Sequence, residues 1–390
     1  MKKLVLFFVL ISFVNLFSQT TSHSSNAILF PQGYGIKLLN SSGSSSIFND
    51  VSNIGFMNPS SISGFENYSL GISYQVSSSI EEAWIADFGT SRVYNFYPQS
   101  FGGIVKLNAF TFGLGFGQKY NGTLETGPIL ITTTQNPDGT GEYLEIIQET
   151  SIHTYSLSAA YSLKDLFDTS NNLSVGFRFS LNRFHRYDEF GLETVKATDY
   201  SPNFAVGLSS DLLLDDVRKL FLGLSYETET SFEADIEFER NPILISDIDP
   251  NRPPNYVQVK PALVSQTPVE LRFDFAIDAT ENFKFLTNLT AIFWETETNN
   301  LKDQIEFAVS TVYKINEIFT PSIGFYYSDY KYENKYYSSL NSELNSFFIT
   351  AGLRLNIQNY YADFAIADSH LFSGDYRKQT IGKLSVGVQL

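Results

Sequence analysis

The chain has 390 residues, no cysteine and a formal net charge of −16 at pH 7. The absence of cysteine excludes disulfides, zinc–thiolate sites and thiol catalysis, and the acidic balance argues against nucleic acid as a partner. Charged residues are only 17% of the chain, below the roughly 25% of soluble domains, whereas aromatic residues reach 15%. The composition therefore favours a protein that has too few charged residues to cover its whole surface in contact with water.

The first residues have the pattern of a secretory signal peptide. Lys2 and Lys3 precede an apolar run from Leu4 to Phe17, which closes on Ser18-Gln19. This run is shorter than the roughly 18 residues that a membrane-spanning helix needs. We assign residues 1–19 to a cleaved signal and expect an exported protein.

Residues 20–67 are rich in glycine and serine, with the stretch Ser41 to Ser46, but they also contain Ile54, Phe56 and Ile62. A disordered linker is one interpretation. The apolar residues favour the other, a compact unit held by its own side chains.

From Tyr68 onward, segments of about 9–12 residues alternate in polarity, as in Leu173 to Asn182. A soluble β-sandwich shares this alternation, but its strands usually have about five or six residues. A tilted membrane-spanning strand needs about 9–11. Segments of this kind are Tyr68 to Val76, Phe101 to Asn108, Phe110 to Gln118, His153 to Leu163, Leu173 to Phe184, Asn203 to Leu212, Leu220 to Thr230, Val269 to Ala279, Phe283 to Trp294, Ile305 to Lys314, Ile318 to Asp329, Phe347 to Ile357, Tyr360 to Ala367 and Gly382 to Leu390.

The links between these segments alternate between short and long. Asn108-Ala109 and Asn316-Glu317 are short, whereas 119–152, 185–202 and 231–268 are long. Outer-membrane barrels have short periplasmic turns and longer extracellular loops. The sequence thus predicts an all-β protein, in which residues 68–390 form a monomeric fourteen-stranded antiparallel transmembrane barrel in contact with the lipids of a bacterial outer membrane. Residues 20–67 would form a plug in its lumen.

The region before the barrel carries a family resemblance. Ser41-Ser42-Gly43, Asn49-Asp50 and Asn58-Pro59-Ser60-Ser61-Ile62, followed by the strands, resemble the FadL/TodX family of outer-membrane transporters for long-chain fatty acids and other hydrophobic compounds. Ser60 stands where that family usually has alanine. The resemblance implies ligand capture among the loops, binding in the lumen beside the plug, and lateral exit into the bilayer at the third strand.

The third strand has glycine at three successive inward positions, Gly113, Gly115 and Gly117. Glycine marks bends and bulges in strands, so these residues are candidates for a lateral gate. Equally, they would make room for the plug.

Two further groups are candidate ligand contacts. Arginines on inward positions would bind a carboxylate head group, or else neutralise acidic neighbours such as Glu270 and Asp274. Apolar loop residues would form a capture surface, or else pack on each other. The candidates are Arg178, Arg272, Arg354, Ile129, Leu130, Ile131, Ile243, Leu244 and Ile245.

The histidines His23, His153, His185 and His370 lie in no recognisable catalytic motif. We therefore expect no enzyme, no cofactor and no metal. The alternative to a transporter is a barrel that acts in protein interaction or secretion and receives a protein at its acidic loops.

Overall fold

The computed structural model describes residues 50–65, 67–82, 90–125, 129–130, 141, 143–163, 172–190, 193–215, 218–240, 262–294, 303–328, 346–372 and 379–390. The signal peptide assigned to residues 1–19 lies outside this set. Among the residues described, no helix is long and apolar enough to cross a membrane.

Fourteen antiparallel strands form one closed barrel, as the sequence predicts. Each strand pairs with its neighbours along the chain, and β14 pairs with β1 from Ser69–Gln389 to Ser79–Gln379, which closes the ring. The strands are β1 Tyr68–Glu82, β2 Thr90–Leu107, β3 Phe110–Glu125, β4 Ile146–Ser162, β5 Asn172–Phe190, β6 Glu193–Leu213, β7 Lys219–Glu227 and Thr230–Arg240, β8 Ala262–Thr267 and Val269–Asp278, β9 Phe283–Phe293, β10 Gln304–Tyr313, β11 Phe319–Ser328, β12 Ser346–Ile357, β13 Tyr360–Asp368 and β14 Gln379–Gln389.

The alternating sequence gives the barrel wall two unlike faces. On β5, Val175 and Phe177 face outward and are 42% and 45% exposed, whereas Ser174, Arg178 and Asn182 face inward and are buried. An outward apolar band is the surface that a barrel presents to lipid. The inward face is polar enough to contact a polar segment or water.

Several strands run further toward the long-loop end than the alternation predicts. β2 begins at Thr90, not at Phe101, and β5 and β6 continue until only 191–192 lie between them. The predicted long link 185–202 is therefore wrong. Beyond Leu181 the outward positions of β5 become polar, so the alternation ends, but the backbone pairing continues because it satisfies the N–H and C=O groups.

Residues Asp50–Phe65, here called the inner segment, lie inside the barrel. They contain two short 3-10 helices, Val51–Asn53 and Pro59–Gly64, whose residues are buried except for Gly64. Apolar side chains of the inner segment pack with Ile104 of β2 and Ala160 of β4. Residues 50–65 are thus folded, whereas residues 20–49 lie outside the described set, so the assignment of residues 20–67 to a plug stays a prediction.

Candidate functional site

The Asn58-Pro59-Ser60 motif attaches the inner segment to β6 and β7. Asn58 caps the second helix, since its Oδ1 accepts hydrogen bonds from the backbone N (3.0 Å) and Oγ (2.7 Å) of Ser60. Its Nδ2 donates to the carbonyl oxygens of Leu208 (3.1 Å) and Leu224 (3.3 Å). A Cβ on Gly207 would lie 1.9 Å from Asn58 Oδ1, so this approach requires glycine in the wall.

Asp50 attaches the other end of the inner segment to β13 and β14. Its carboxylate accepts hydrogen bonds from Lys383 Nζ (3.2 Å), Ser385 Oγ (3.0 Å) and Tyr361 Oη (3.2 Å), in addition to two residues of its own helix. Lys383 is buried, and a buried ammonium group needs a partner of opposite charge, which Asp50 provides. Sequence reasoning missed Lys383, although its inward position on the last strand was a signal.

The three glycines of β3 lie directly against the inner segment. A Cβ would come within 2.1 Å of Ile54 Cδ1 at Gly113, 2.8 Å of Gly55 N at Gly115 and 2.4 Å of Phe56 Cε2 at Gly117. The inner segment therefore packs into the space that the missing side chains of these glycines leave, as expected if the glycines make room for it. Up to Gly117 the ladder with β2 is regular.

The described pairing between β2 and β3 ends immediately above these glycines. The β2–β3 pairs run from Leu107–Phe110 to Ser100–Gly117 and end there in the described structure. Farther on, β2 pairs with β1 and β3 pairs with β4, and the register of each ladder shifts at the point of separation, at Gln99 in β2 and at Lys119 in β3. Bulges bend strands, so both strands carry a bend where their mutual pairing ends. We call this break in the pairing the β2–β3 split.

A charged layer lies inside the barrel at the height of the split. Glu227 Oε1 accepts hydrogen bonds from Lys119 Nζ (2.5 Å) and Asn203 Nδ2 (2.9 Å), and its Oε2 accepts one from Arg178 Nη2 (2.5 Å). Arg178 Nη1 also donates to the carbonyl oxygen of Met57 (2.6 Å) in the inner segment. These four side chains, Lys119, Arg178, Asn203 and Glu227, are here called the Glu227 cluster.

An apolar patch lies beside this layer, toward the long-loop end. Tyr120 pairs with Ile152 in the β3–β4 ladder, and the rings of Phe184 and Phe232 stack with centroids 5.3 Å apart. The patch begins at the β3 bulge and continues across the inner wall to β7. It consists of Tyr120, Ile152, Phe184, Ala197, Phe232, Ala234 and Ile236.

The structure separates the three candidate arginines. Arg178 and Arg272 both reach the inner segment, since Arg272 donates to the carbonyl oxygen of Phe56 (3.2 Å) and lies 3.6 Å from Glu270. Arg354 instead forms two hydrogen bonds of 2.6 Å to Asp363 on the neighbouring strand. All three thus have partners in the protein, and their role in holding a ligand carboxylate stays a prediction.

Only part of the predicted capture surface falls within the described residues. Ile129–Leu130 forms a two-residue strand that pairs with Tyr143–Leu144. Ile131, Ile243, Leu244 and Ile245 lie outside the described set.

The described histidines lie on different parts of the wall. His153 stacks on Phe116 with ring centroids 6.0 Å apart, His185 Nδ1 lies 3.1 Å from Thr198 Oγ1, and His370 Nδ1 lies 3.0 Å from Asp368 Oδ2. His23 precedes the described residues. Within the part of the chain that the structure covers, no group of three or more histidine, aspartate or glutamate side chains could hold a metal ion.

Comparison with known proteins supports a fold relationship without close sequence similarity. No family model and no curated protein sequence matches the chain. The toluene transporter TbuX of Ralstonia pickettii is 13% identical with a TM-score of 0.60, over 92% of this chain and 99% of that one. A FadL homologue of Pseudomonas aeruginosa is 12% identical with a TM-score of 0.59, over 93% and 99%.

The toluene transporter TodX of Pseudomonas putida is also similar, at 13% identity and a TM-score of 0.57, over 92% of this chain and 98% of that one. The matches extend over nearly the full length of these barrels. At such low identity the similarity concerns the fold. The chain therefore has the FadL-like barrel fold, shared with these two toluene transporters and this FadL homologue.

Proposed function

We propose that the protein is an outer-membrane channel for the passive uptake of hydrophobic small molecules such as long-chain fatty acids. The observation that carries the proposal is the β2–β3 split, which lies directly beside the apolar patch. In this proposal the chain is exported by its signal peptide and inserts as a monomer, with its long loops outside the cell and its short turns in the periplasm.

A lateral route suits an apolar solute better than a route along the barrel axis. Such a solute gains free energy by staying out of water, so a water-filled pore offers it no advantage. The proposed path leads from the loops to the apolar patch and then through the split into the bilayer. Tyr120 supports this path, because it belongs to the patch and follows the bulge residue of β3 directly.

The inner segment acts as the plug in this proposal. It is fixed at Asp50 to β13 and β14 and at Asn58 to β6 and β7, and it packs against the glycines of β3. It therefore spans the lumen between different parts of the wall. An aqueous path along the barrel axis would be blocked, while the split above it stays accessible.

The Glu227 cluster gives the patch a polar floor. Lys119 and Arg178 both bind the carboxylate of Glu227, and a ligand carboxylate offers the same two oxygen acceptors. A fatty acid would then place its chain on the apolar patch and its head group on these two cations. Arg272 also lies at the inner segment, where it donates to the carbonyl oxygen of Phe56 and pairs with Glu270.

The proposal is tested with the purified barrel and with cells that lack their own uptake protein for fatty acids. Binding of radiolabelled palmitate to the barrel in detergent should be saturable, and cells that produce the protein should take up palmitate or toluene faster than cells without it. Failure to bind fatty acids of any chain length, combined with no uptake of toluene, would overturn the proposal. Co-purification of one protein in equal amount would instead favour a role in secretion.

A further inference from the structure

The Glu227 cluster connects parts of the wall that are not neighbours. Lys119 belongs to β3 and Glu227 to β7, and β4, β5 and β6 lie between these two strands in the sheet. Their side chains nevertheless meet at 2.5 Å, with only 16% and 17% of the side-chain surface exposed. The ion pair therefore spans part of the lumen, over the inner face of the three strands between.

Lys119 is the bulge residue of β3. In the β3–β4 ladder, Gln118 pairs with His153 and Tyr120 pairs with Ile152, which leaves Lys119 as the extra residue between them. On the other side of β3, the described ladder with β2 has already ended at Gly117. At this height, β3 has a described strand neighbour only on the β4 side. The Lys119–Glu227 ion pair is an additional contact of β3, on the lumen side.

Glu227 also stands at an interruption of the wall. The regular β6–β7 pairs end at Ala205–Glu227 and resume at Ala197–Ile236. One backbone hydrogen bond, from Thr228 N to the carbonyl oxygen of Phe204 (2.9 Å), continues beyond Glu227. Side chains satisfy other backbone groups in between: Glu233 N donates to Asp199 Oδ2 (2.8 Å), and Phe204 N donates to Thr228 Oγ1 (3.0 Å). Lys119 and Glu227 thus each lie where the ladder on one side of their strand is interrupted, whereas the ladders of β3 with β4 and of β7 with β8 continue.

Arg178 connects this ion pair to the inner segment. One of its nitrogen atoms donates to Glu227 Oε2 and another to the carbonyl oxygen of Met57. A displacement of Met57 therefore changes the position or the hydrogen bonding of Arg178. Through Arg178 it also affects the carboxylate that holds Lys119.

We infer that the Lys119–Glu227 ion pair acts as a latch, a contact inside the lumen that holds the upper half of β3 in place. The latch thereby sets the width of the β2–β3 split. Arg178 couples the latch to the inner segment. A ligand carboxylate that takes the place of Glu227 on Lys119 would release β3 from β7, while Glu227 keeps its hydrogen bond to Arg178. The consequence for transport rests on the proposed function, whereas the mechanical coupling does not.

Hydrogen exchange of the purified barrel tests the coupling without any ligand. Lys119→Met removes the ammonium group and keeps most of the apolar stem. Amides of residues 118–125 should then exchange faster by about tenfold, a modest share of what the loss of one partner of a buried ion pair causes. Residues 110–117, which keep both strand neighbours, should not change.

Glu227→Gln should raise the exchange rate of amides in residues 118–125 and also in residues 51–57, because it weakens the hydrogen bonds that Lys119 and Arg178 make to the Glu227 side chain. The matched control is Asp188→Asn, which removes a buried ion pair within β5 to Arg186 (2.6 Å) that does not cross the lumen. The control should leave both regions unchanged. Unaltered exchange of 118–125 in folded Lys119→Met, or an equal increase in the control, would overturn the latch.

Cross-linking tests the effect on transport. Because the chain has no native cysteine, the reagent can react only with the introduced thiols. Lys119→Cys/Glu227→Cys joined by a reducible bifunctional thiol reagent should take up toluene, which has no carboxylate and does not need the head-group site, at least several-fold more slowly than the same protein after reduction. Each single cysteine variant treated with the reagent is the control. Equal uptake before and after reduction, in a protein that transports, would contradict the latch. Altered exchange in Lys119→Met, together with no uptake by the wild type, would instead support the latch and overturn the proposed function.

Discussion

At the scale of single residues, the lumen is organised by a few charged side chains whose partners are far away in the sequence. Asp50 and Lys383 are 333 positions apart, and Lys119 and Glu227 are 108 apart. The sequence identified Arg178 and Arg272 as inward charges, but it did not reveal their partners. A chord across a barrel depends on the curvature of the wall and on the position of bulges, and neither is encoded in the alternation of polarity.

The Asp50 anchor yields a prediction about the inner segment. Asp50→Asn leaves the buried ammonium of Lys383 without its carboxylate, and breaking a buried ion pair on one side costs about 3–5 kcal/mol. The inner segment should detach more often from β13 and β14, which raises single-channel conductance in planar bilayers. Asp50→Asn/Lys383→Met removes both charges and should restore much of the low conductance; a double variant as leaky as the single one would contradict this account.

The glycines of β3 allow their two interpretations to be separated. Gly115→Val places side-chain atoms where Gly55 N and Ser156 Oγ already lie within 3 Å of the new Cβ, so the inner segment must move. If the glycines make room for packing, ion conductance should rise. If they act chiefly as a flexible gate, palmitate uptake should fall at unchanged conductance. Gly382→Val is the control, because the nearest atom to its Cβ is 3.9 Å away.

At the scale of elements, the number and order of strands follow from sequence, but their upper ends do not. Within the apolar band, one face must meet lipid and the other the lumen, so the polarity of β5 alternates strictly. Beyond it, Arg183, His185 and Glu189 occupy outward positions, and water accepts polar residues on either face. The backbone continues to pair where the sequence pattern has ended. The ladder interruptions at Lys119 and after Glu227 escape the sequence for the same reason.

The inner segment is the element whose removal has the clearest consequence. Deleting residues 20–62 should leave a folded barrel, because the wall closes through β1–β14 pairs that do not involve this segment. The emptied lumen should conduct small ions and admit small polar solutes. Planar-bilayer recordings check this, with heat-dependent gel mobility as the control for folding. Wild-type conductance in a folded deletion variant would count against the role of a plug.

At the scale of the whole molecule, lateral and axial transport make opposite predictions about the relation between two fluxes. If hydrophobic solutes leave through the β2–β3 split, the route of palmitate bypasses the space that the inner segment fills. Opening the lumen along the axis then raises the flux of ions without a matching rise in palmitate uptake. An axial channel would couple the two, since both solutes would follow the same path.

Proteoliposomes that contain the wild type, Gly115→Val or the 20–62 deletion can measure both quantities on one preparation. We expect ion flux to increase strongly in the two variants, while palmitate arrival in the bilayer, followed by a membrane-embedded quencher, changes little or falls. Palmitate arrival falls in the 20–62 deletion, because this variant lacks Met57 and Arg178 then loses a hydrogen bond that positions it for the proposed head-group site. A proportional rise of both fluxes would show that solutes travel along the barrel axis, and the split would then have no part in uptake.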